Sequence, residues 1–482
     1  IIQGSAGSGK TTVALHRLGW LLHKGNSHAR AENTRVIVMN KSLQIYVSST
    51  LPSMGINGVD AITFNSWALS VIRHATKGKA FFKYRELPEF VEKIKFSNGI
   101  LGALSQFVRQ QVRDVDAAIS REFLTNEKLF KLWKESHNKA IQPRLKDFKH
   151  DVSESNLPIK EKQVALDYVQ NLLTDQEDYV GDLYKLLSDE KLLGSFLPAD
   201  PKLGEHLSYL SRMVDKNRRK NYLDYYDMSL ILRLIQLKYG GLPNKHGGIS
   251  EFDHLVVDEA QDFGPVEFSI MMDSVGDKRD LTIVGDVSQK ILFSRKFIGW
   301  ENILDNLEIK KDTLIQLEVS FRCTVPIMNL ARKVEGRKDP VSFGRPGSPV
   351  IWHRAVDQND FLETLAGWVK GLMEKDPYKL IALICRYPKQ AMELKDELER
   401  MVSCEVRIGH RDQFSFEPGV IISNIHQIKG LEFDAVALIN PSEEFYPSKN
   451  IESRNMIYVG ITRAQEDLLV IGNNSFSKVL LS

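Results

Sequence analysis

Short apolar runs occur in the middle and in the C-terminal part of the chain and are separated by segments with helical spacing. Residues 252–257 and 281–285 are apolar runs of strand length. Towards the C-terminus such runs alternate with helical stretches, of which residues 390–402 are one. Strands that alternate with helices are typical of parallel sheets with right-handed crossovers. The C-terminal runs that predict strands are 380–385, 420–423, 435–439 and 468–471.

The long segment 68–250 has a different pattern. It contains no apolar run of strand length, and its apolar residues recur at helical spacing, for example from Phe90 to Val108. The pattern predicts a helical insert that interrupts an α/β domain. The predicted division of the chain is a first α/β domain at 1–67 and 251–325, the insert at 68–250, and a second α/β domain at 326–482.

Composition excludes several classes of protein. A chain of 482 residues suggests about three domains, and 43% hydrophobic with 26% charged residues excludes wholesale disorder. No apolar run approaches the roughly 20 residues of a membrane helix, so no membrane contact is expected. The 3 cysteines lack metal-ligand spacing and are too few for a disulfide framework, which favours a reduced, cytoplasmic setting. Because the sequence starts at Ile1 without a signal peptide, we interpret it as a fragment cut just before a motif.

Charge is distributed unevenly along the chain. The segment 68–250 has 30 Lys and Arg against 24 Asp and Glu, whereas the rest has 34 against 38. A basic insert beside a mildly acidic remainder is compatible with a face that binds a polyanion and equally with a solvated helix face. The densest basic cluster consists of Arg212, Lys216, Arg218, Arg219 and Lys220.

A glycine-rich motif stands at the N-terminus. Residues 4–11 read GSAGSGKT and fit G-x-x-x-x-G-K-[ST] in full. Glycines allow a tight turn whose backbone N–H groups point at phosphate oxygens. Lys10 would neutralise the β- and γ-phosphates, and the Thr11 hydroxyl would bind Mg²⁺; the alternative is a Gly/Ser turn that happens to precede a lysine. The residues expected to form the phosphate cradle are Gly4, Gly7, Ser8 and Gly9.

A pair of acidic residues follows the apolar run 252–257. The sequence DEAQD at 258–262 indicates a buried parallel strand that delivers carboxylates to its C-terminal edge, where ligands of open α/β sheets bind. Asp258 would hold the Mg²⁺ shell, and Glu259 would orient and deprotonate an attacking water. The alternative interpretation is an acidic surface turn. The phosphate-binding motif in the same chain favours the catalytic interpretation over this alternative.

Three further side chains suit phosphoryl transfer. Gln289 follows a Gly-Asp pair at 285–286 and could read the γ-phosphate, although a Gly-Asp turn after a strand is common. Arg322 and Arg463 are candidates to stabilise the negative charge that develops on the transferred phosphoryl group. Phe321, beside Arg322, could stack on a base. For a single arginine the ordinary interpretation is surface charge, and only the motif context favours a function.

The order of these motifs resembles the UvrD/Rep-like superfamily 1 helicases over most of the chain outside 68–250. Each block is weak or moderate alone, but all of them in the family's order form a specific signal. The resemblance implies an α/β fold of two RecA-like parallel-sheet P-loop NTPase domains, the first with a large helical insert, and ATP with Mg²⁺ in the cleft between them. The blocks are GSAGSGKT at 4–11, TFNSW at 63–67, DEAQD at 258–262, GDVSQ at 285–289, SFR at 320–322, HQIKGLEF at 426–433 and YVGITRA at 458–464.

The resemblance also implies roles for individual residues. It makes Arg322 and Arg463 arginine fingers that reach across the cleft, and it places Glu432 near the ribose and Phe321 against the adenine. Thr12 stands where family members often carry an arginine that touches the base.

Some details look closest to the HelD-type branch of the family, whose members act on RNA polymerase. These details are VALHR at 13–17, Trp67 and GWE at 299–301.

Other positions depart from the family's pattern for holding single-stranded DNA. Family translocases stack bases on aromatic side chains, an interaction that contributes about 1–3 kcal/mol per base. Val38, Leu292 and Ser294 stand where aromatic residues usually occur. Because roughly a hundred residues separate Arg322 from His426, the family's large inserted subdomain is expected to be absent or vestigial.

The leading hypothesis is an ATP-dependent DNA helicase or translocase that acts on single-stranded or partly duplex DNA. The alternative is a HelD-type ATPase that remodels RNA polymerase or another protein–nucleic acid complex without processive unwinding. A non-hydrolysing scaffold is disfavoured because Lys10, Thr11, Asp258, Glu259 and both arginines are intact.

Overall fold

The structure of the chain is a computed structural model with two six-stranded sheets. The predicted site residues Gln289 and Phe321 lie outside the described residues, as do Leu292, Ser294 and the sequence 299–301. The residues that the structure describes are 1–4, 7–244, 248–276, 280–286, 315–317, 322–337, 339–341, 343–410 and 414–481.

The strands are short and are spread over the whole chain. Their bounds, in chain order, are β1 Ile2–Gly4, β2 Thr34–Val38, β3 Asp60–Thr63, β4 Phe82–Lys83, β5 Leu223–Asp224, β6 Leu242–Pro243, β7 Ile249–Ser250, β8 His254–Val257, β9 Leu281–Gly285, β10 Ile315–Leu317, β11 Ile351–Arg354, β12 Leu380–Cys385, β13 Val406–Ile408, β14 Gly419–Asn424, β15 Phe433–Ile439 and β16 Ala464–Gly472.

Both large sheets are parallel throughout. The first has the strand order β10-β1-β9-β8-β2-β3, and the second has the order β11-β16-β15-β12-β14-β13. Parallel neighbours require crossover connections, which helices provide here. The predicted α/β class with two RecA-like parallel-sheet domains is therefore confirmed. We call each sheet with its covering helices a lobe.

Helices connect the strands and cover the sheets. Many begin after a residue whose side chain caps a free backbone N–H group; before the helix at Phe64, Thr63 Oγ1 accepts a hydrogen bond from Ser66 N at 3.1 Å. The helices are α1 Lys10–Leu21, α2 Lys41–Ser53, α3 Phe64–Ala75, α4 Glu89–Lys95, α5 Asn98–Glu122, α6 Glu127–Glu135, α7 Ile141–Glu154, α8 Ile159–Gln176, α9 Tyr179–Ser188, α10 Glu190–Phe196, α11 Leu203–Arg219, α12 Asp227–Tyr239, α13 Pro265–Met272, α14 Val325–Val334, α15 Gln358–Lys375, α16 Pro388–Leu398, α17 Ile425–Ile428, α18 Ile451–Ile461 and α19 Lys478–Leu481.

Helices α3 to α12 lie between β3 and β8 of the first sheet, as the helical spacing predicts. The segment also contains two short ladders that the apolar pattern did not predict, because β4 pairs with β5 and β6 pairs with β7. Strands of two residues are too short to leave an alternating pattern in the sequence. The single helical pattern from Phe90 to Val108 also divides into α4 and α5, with the Ser97 side chain capping α5. The division of the chain into domains stays a prediction, and its boundary after residue 67 lies inside α3.

Alternating side chains on the first sheet enter two different hydrophobic cores. Val36 and Val256 point into a core that continues to the second lobe, whereas Ile37 and Leu255 point into a core shared with the insert helices. This alternation follows from the two-residue period of a strand. Because both faces are covered, the strands read as continuous apolar runs, and the two lobes pack through a common core.

Three buried charged residues join an early helix of the insert to two of its later elements. The Lys95 ammonium of α4, which is 1% exposed, donates to Asp224 Oδ2 at 2.7 Å and to Asp227 Oδ1 at 2.6 Å. Burial raises the pKa of Asp227 to about 6 even though the charge of Lys95 opposes the shift. One cation thus compensates two carboxylates that burial alone would destabilise.

We expect Lys95→Ala to lower the free energy of unfolding by about 3–5 kcal/mol, because it leaves two buried carboxylates without a cation. Urea unfolding measures the loss. The matched control is Lys93→Ala on the same helix, which removes only an exposed ion pair with Glu89 and should cost at most about 0.5 kcal/mol. Equal effects of the two substitutions would contradict the structural role of Lys95.

Two further findings concern membrane-spanning helices and the cysteine side chains. None of the helices in the described residues is long and apolar enough to cross a membrane. Cys323, Cys385 and Cys404 are free thiols, and burial raises the pKa of Cys323 to about 11 and that of Cys385 to about 12. The two buried cysteines therefore behave as packed apolar groups rather than as reactive thiols.

Candidate active site

The glycine motif forms the turn from β1 to α1. Gly7 and Gly9 have φ values of +74° and +79°, which only glycine adopts without strain, and Gly9 directly precedes the first residue of α1. Gly4 is needed for a second reason, because a Cβ atom there would lie 2.7 Å from the Leu317 carbonyl oxygen of β10. The free N–H groups of α1 therefore open towards the C-terminal edge of the first sheet, where they favour an anion.

The Lys10 side chain contacts both the glycine loop and the end of a neighbouring strand. Its ammonium donates to the Gly4 carbonyl oxygen at 2.8 Å and lies 4.0 Å from Asp286 Oδ2, just beyond the end of β9. Burial lowers the pKa of Lys10, and the charge of Asp286 partly offsets that effect. A lysine held in this way is a cation placed in advance for the phosphate group that the loop would bind.

Thr11 and Asp258 form an oxygen pair beside this lysine. The Thr11 hydroxyl donates to Asp258 Oδ2 at 2.9 Å, across 247 positions of sequence. Burial, together with the neighbouring charge of Glu259, raises the pKa of Asp258 to about 6. One carboxylate and one hydroxyl suit Mg²⁺, which takes oxygen ligands and is bound through few protein groups together with substrate phosphates. The residues present therefore fit the ion that the sequence predicts.

Glu259 occupies an unusual backbone conformation. Its φ is +52°, in the left-handed region that costs a non-glycine residue about 1–3 kcal/mol and often marks functional sites. Burial alone would raise the pKa of Glu259, but the charges of Lys429, Arg463 and Lys10 lower it below its ordinary value. The carboxylate stays ionised and accepts a hydrogen bond from Gln261 Nε2. Gln261 also accepts from the Asp286 backbone N–H at 2.9 Å and so connects the ends of β8 and β9.

The second lobe contributes the starts of two adjacent strands. Glu432 and Arg463 immediately precede β15 and β16, and the Phe433 N–H donates to the Arg463 carbonyl oxygen at 3.0 Å. Arg463 is 1% exposed, and its guanidinium donates to the Val459 and Leu431 carbonyl oxygens at 3.1 Å each. The parallel ladder therefore fixes both side chains at one edge of the second sheet.

Arg322 approaches the same edge from the segment that joins the lobes. Its guanidinium forms an ion pair with Glu432, whose other oxygen accepts from Gln465 Nε2 at 3.0 Å. The Thr324 N–H donates to the Gln465 carbonyl oxygen at 3.2 Å and docks this segment on β16. Arg322 is thus held by a carboxylate of the second lobe beside the first-lobe loop.

A cavity of about 290 Å³ lies between the two lobes at this point. It brings together predicted residues of both lobes, whereas Gly4 and the buried Ser8 belong to the turn beside it. Sequence reasoning missed Tyr46 of α2, which lines the cavity without any motif around it, and Gln261, whose place inside DEAQD was a usable signal. The predicted residues that line the cavity are Gly7, Gly9, Lys10, Thr11, Thr12, Asp258, Glu259, Arg322, Glu432 and Arg463.

A lysine of the second lobe also reaches the acidic strand end. The Lys429 ammonium donates to Asp262 Oδ2 at 2.6 Å and lies 3.9 Å from Glu259 Oε2. The Asn40 side-chain amide donates to the carbonyl oxygens of His426 and Lys429 at 3.5 and 3.4 Å. The loop between β14 and β15 is therefore linked to the first lobe at two places.

A phosphate-type loop on one parallel sheet, facing basic residues of a second parallel sheet, defines a P-loop nucleotide-binding protein with a site shared between two lobes. The chain belongs to the UvrD/Rep helicase family. The model of the UvrD/REP helicase N-terminal domain matches residues 1–296, and that of the UvrD-like helicase C-terminal domain matches residues 406–475.

Individual relatives align over limited stretches. ATP-dependent DNA helicase UvrD2 of Mycobacterium tuberculosis is 28% identical over 166 residues, 32% of this chain and 24% of the relative. DNA helicase II of Haemophilus influenzae is 28% identical over 134 residues, 26% of this chain and 18% of the relative. ATP-dependent DNA helicase Rep of Buchnera aphidicola is 30% identical over 112 residues, 22% of this chain and 16% of the relative. The chain thus spans about a quarter or less of these relatives' length.

A solved structure gives a weaker likeness. The C-terminal domain of a possible DNA helicase from Lactobacillus plantarum is 19% identical and covers 34% of this chain and 92% of its own, with a TM-score of 0.28. That score carries no argument about this chain.

We expect Mg²⁺-dependent ATP binding to weaken as the pH falls below about 6. A raised pKa leaves Asp258 protonated there, and a metal ligand must be deprotonated. Titration with a fluorescent ATP analogue, with and without Mg²⁺, between about pH 5 and pH 8 measures the change. The control is Asp258→Asn, because protonation of ATP itself affects both proteins equally. If the two proteins show the same pH dependence, Asp258 is not the titrating group.

Proposed function

We propose that this protein is an ATP-dependent DNA helicase or translocase that hydrolyses ATP between its two lobes and moves on single-stranded DNA. The observation that supports this most directly is the shared cavity, which is lined by Lys10 and Asp258 from one lobe and by Glu432 and Arg463 from the other. The relatives named above are DNA helicases, which agrees with DNA as the substrate.

The first lobe binds the triphosphate in this proposal. The backbone N–H groups of the glycine loop and the Lys10 ammonium bind the β- and γ-phosphates. Thr11 and Asp258 would hold Mg²⁺, which neutralises charge on the phosphate oxygens when bound. Thr12, at the position where the resemblance places a contact with the base, also lines the cavity.

The chemical step uses groups from both lobes. Glu259 accepts a proton from the attacking water, and its lowered pKa keeps it available as a base. Arg322 and Arg463 stabilise negative charge on the transferred phosphoryl group, Glu432 binds the ribose, and Gln289 and Phe321 contact the γ-phosphate and the adenine. Arg322 is paired with Glu432 in this structure, so ATP would compete for that guanidinium.

Motion along DNA requires that ATP binding and hydrolysis change the contacts between the protein and the DNA strand. Lys429 contacts the acidic strand end, and His426, three residues earlier in the short helix α17 of the same connection, is exposed. A change in the charge around Glu259 therefore acts on the loop that carries His426. This loop is a short physical connection between hydrolysis and a surface that can bind DNA.

We expect Glu259→Gln to retain ATP binding and to lower ATP turnover about 10²–10⁴-fold, because the general base is lost while the phosphate loop is intact. An ATPase assay with and without single-stranded DNA, paired with nucleotide binding, measures both quantities. Lys10→Ala should lose turnover as well. Turnover that persists unchanged in Glu259→Gln would refute the role of this carboxylate.

We expect Arg322→Ala to reduce ATP turnover about 10³–10⁵-fold, because an arginine aimed at the phosphoryl group stabilises the transition state by that amount. The matched control is Arg345→Ala, whose side chain is 46% exposed and pairs with Glu466 outside the cavity. The same assay measures both variants. Equal losses in both would mean that Arg322 supports the fold rather than the reaction.

A second candidate is an ATPase of the HelD type that remodels RNA polymerase or another protein–nucleic acid complex. The observation that favours it is Val38, which occupies a base-stacking position of the family and is fully buried in β2. Stimulation of ATP turnover by RNA polymerase but not by single-stranded DNA, without strand displacement, would decide for this candidate.

A further inference from the structure

An exposed surface of the insert combines aromatic rings with basic side chains. It lies around the two-stranded ladder of β4 and β5 and along the last turns of α11. We call it the insert strip. Its aromatic members are Phe81, Tyr84, Tyr209 and Tyr225, and its basic members are Lys79, Lys83, Arg85, Arg212, Lys216, Arg218, Arg219 and Lys220.

The ladder brings two distant parts of the sequence together. Strands β4 and β5 pair in parallel, with Phe82 opposite Leu223 and Lys83 opposite Asp224. Residues 81–85 therefore lie beside residues 222–225. Helix α11 ends at Arg219, a few residues before β5, so the C-terminal end of the basic cluster noted in the sequence lies close to the ladder.

Three aromatic rings near the ladder of β4 and β5 are exposed to solvent, although a hydrophobic core lies close to them. Phe82 packs against the core of the first lobe, whereas the adjacent Phe81 is 67% exposed. Tyr84 is 75% exposed and Tyr225 is 45% exposed. None of these three rings stacks on another aromatic ring within the part of the chain that the structure describes. Uncovered rings that gather around one short ladder are typical of a binding site.

The exposed face of α11 continues this surface. Tyr209, Arg212, Lys216 and Arg219 recur at intervals of three or four residues and so share one helix face about 15 Å long. Tyr209 packs edge-on against Phe90 at a centroid distance of 5.3 Å. The ring at one end of this row is thereby held in place.

The charge of the strip is strongly positive. The eight basic side chains are exposed and form no ion pair within the described residues, and the exposed acidic side chains among 79–86 and 205–222 are Glu86, Glu205 and Asp215. Asp224, the acid nearest the ladder, is buried and paired with Lys95. A polyanion therefore meets little repulsion on this surface.

We infer that the insert strip binds single-stranded nucleic acid. This inference rests on the proposed function and extends it to a surface away from the ATP cavity. Exposed aromatic rings stack on unpaired bases, and Lys and Arg bind the phosphates between them. A duplex keeps the faces of its bases covered, and an acidic protein would use the charges but not the rings. Unpaired nucleic acid uses both features of the strip.

Anisotropy of fluorescein-labelled oligo(dT) tests the strip in the full chain. The double variant Phe81→Ala/Tyr84→Ala should bind about tenfold or more weakly, because each base stacked on an aromatic ring contributes about 1–3 kcal/mol. The variant Lys83→Ala/Arg85→Ala should reduce the salt dependence of binding by about 0.7 in the log–log slope for each lost phosphate contact. The control is Tyr378→Ala, an 80% exposed ring on the second lobe.

The outcomes separate this inference from the proposed function. The unaltered protein could bind oligo(dT) with stimulated ATP turnover while both strip variants bind it as well as Tyr378→Ala does. That result overturns the inference about the insert strip and leaves the proposed helicase function standing. If the unaltered protein shows neither oligo(dT) binding nor stimulated turnover, both proposals fall. Equal losses of duplex and oligo(dT) binding, or a loss confined to polyglutamate binding, overturn the assignment to single strands. Ultraviolet crosslinking of oligo(dT) to peptides 79–85 in the unaltered chain supports it independently of any substitution, and crosslinks elsewhere alone count against it.

Discussion

The compensation of buried carboxylates by cations from both lobes is the interaction on which the site depends. Asp258, Glu259 and Asp262 follow the buried strand β8 in a region where isolated negative charges would be costly. Lys10 supplies a cation from the same lobe, and Lys429 supplies one from the other lobe. Cations of both lobes contribute at this strand end, so the charge balance favours contact between the two lobes.

The two sheets line the cleft with opposite edges. The first sheet presents its carboxyl edge, where the phosphate loop follows β1 and the acidic pair follows β8. The second sheet presents the amino ends of β15 and β16, where Glu432 and Arg463 are neighbours in the ladder. A hydrophobic core that includes residues of both sheets fixes their relative position. Polar chemistry at the cleft is therefore supported by apolar packing directly behind it.

The elements of the insert are held together by a separate group of buried charges. Within it, Lys95 of α4 is buried between Asp224 of β5 and Asp227 of α12. These aspartates belong to the same short block as Tyr225, so one stretch of sequence provides both an internal charge anchor and an exposed ring. The anchor explains why the ladder of two-residue strands is held in place, and an ordered ladder in turn presents its rings on a defined surface.

The sequence by itself determined the α/β class, the long helical segment and the phosphate and acidic motifs, because periodicity and glycine chemistry act over a few residues. Glycines at 4, 7 and 9 could be assigned from their motif, and Asp258 from the apolar run before it. The two-residue strands, the separation of α4 from α5 and the presence of Tyr46 in the cavity had no such local signal. Only the tertiary structure decided that Lys429 faces Asp262, that Arg322 pairs with Glu432, and that Phe82 lies opposite Leu223. Those contacts join residues up to about 170 positions apart, and their geometry comes from strand pairing and core packing rather than from any local pattern.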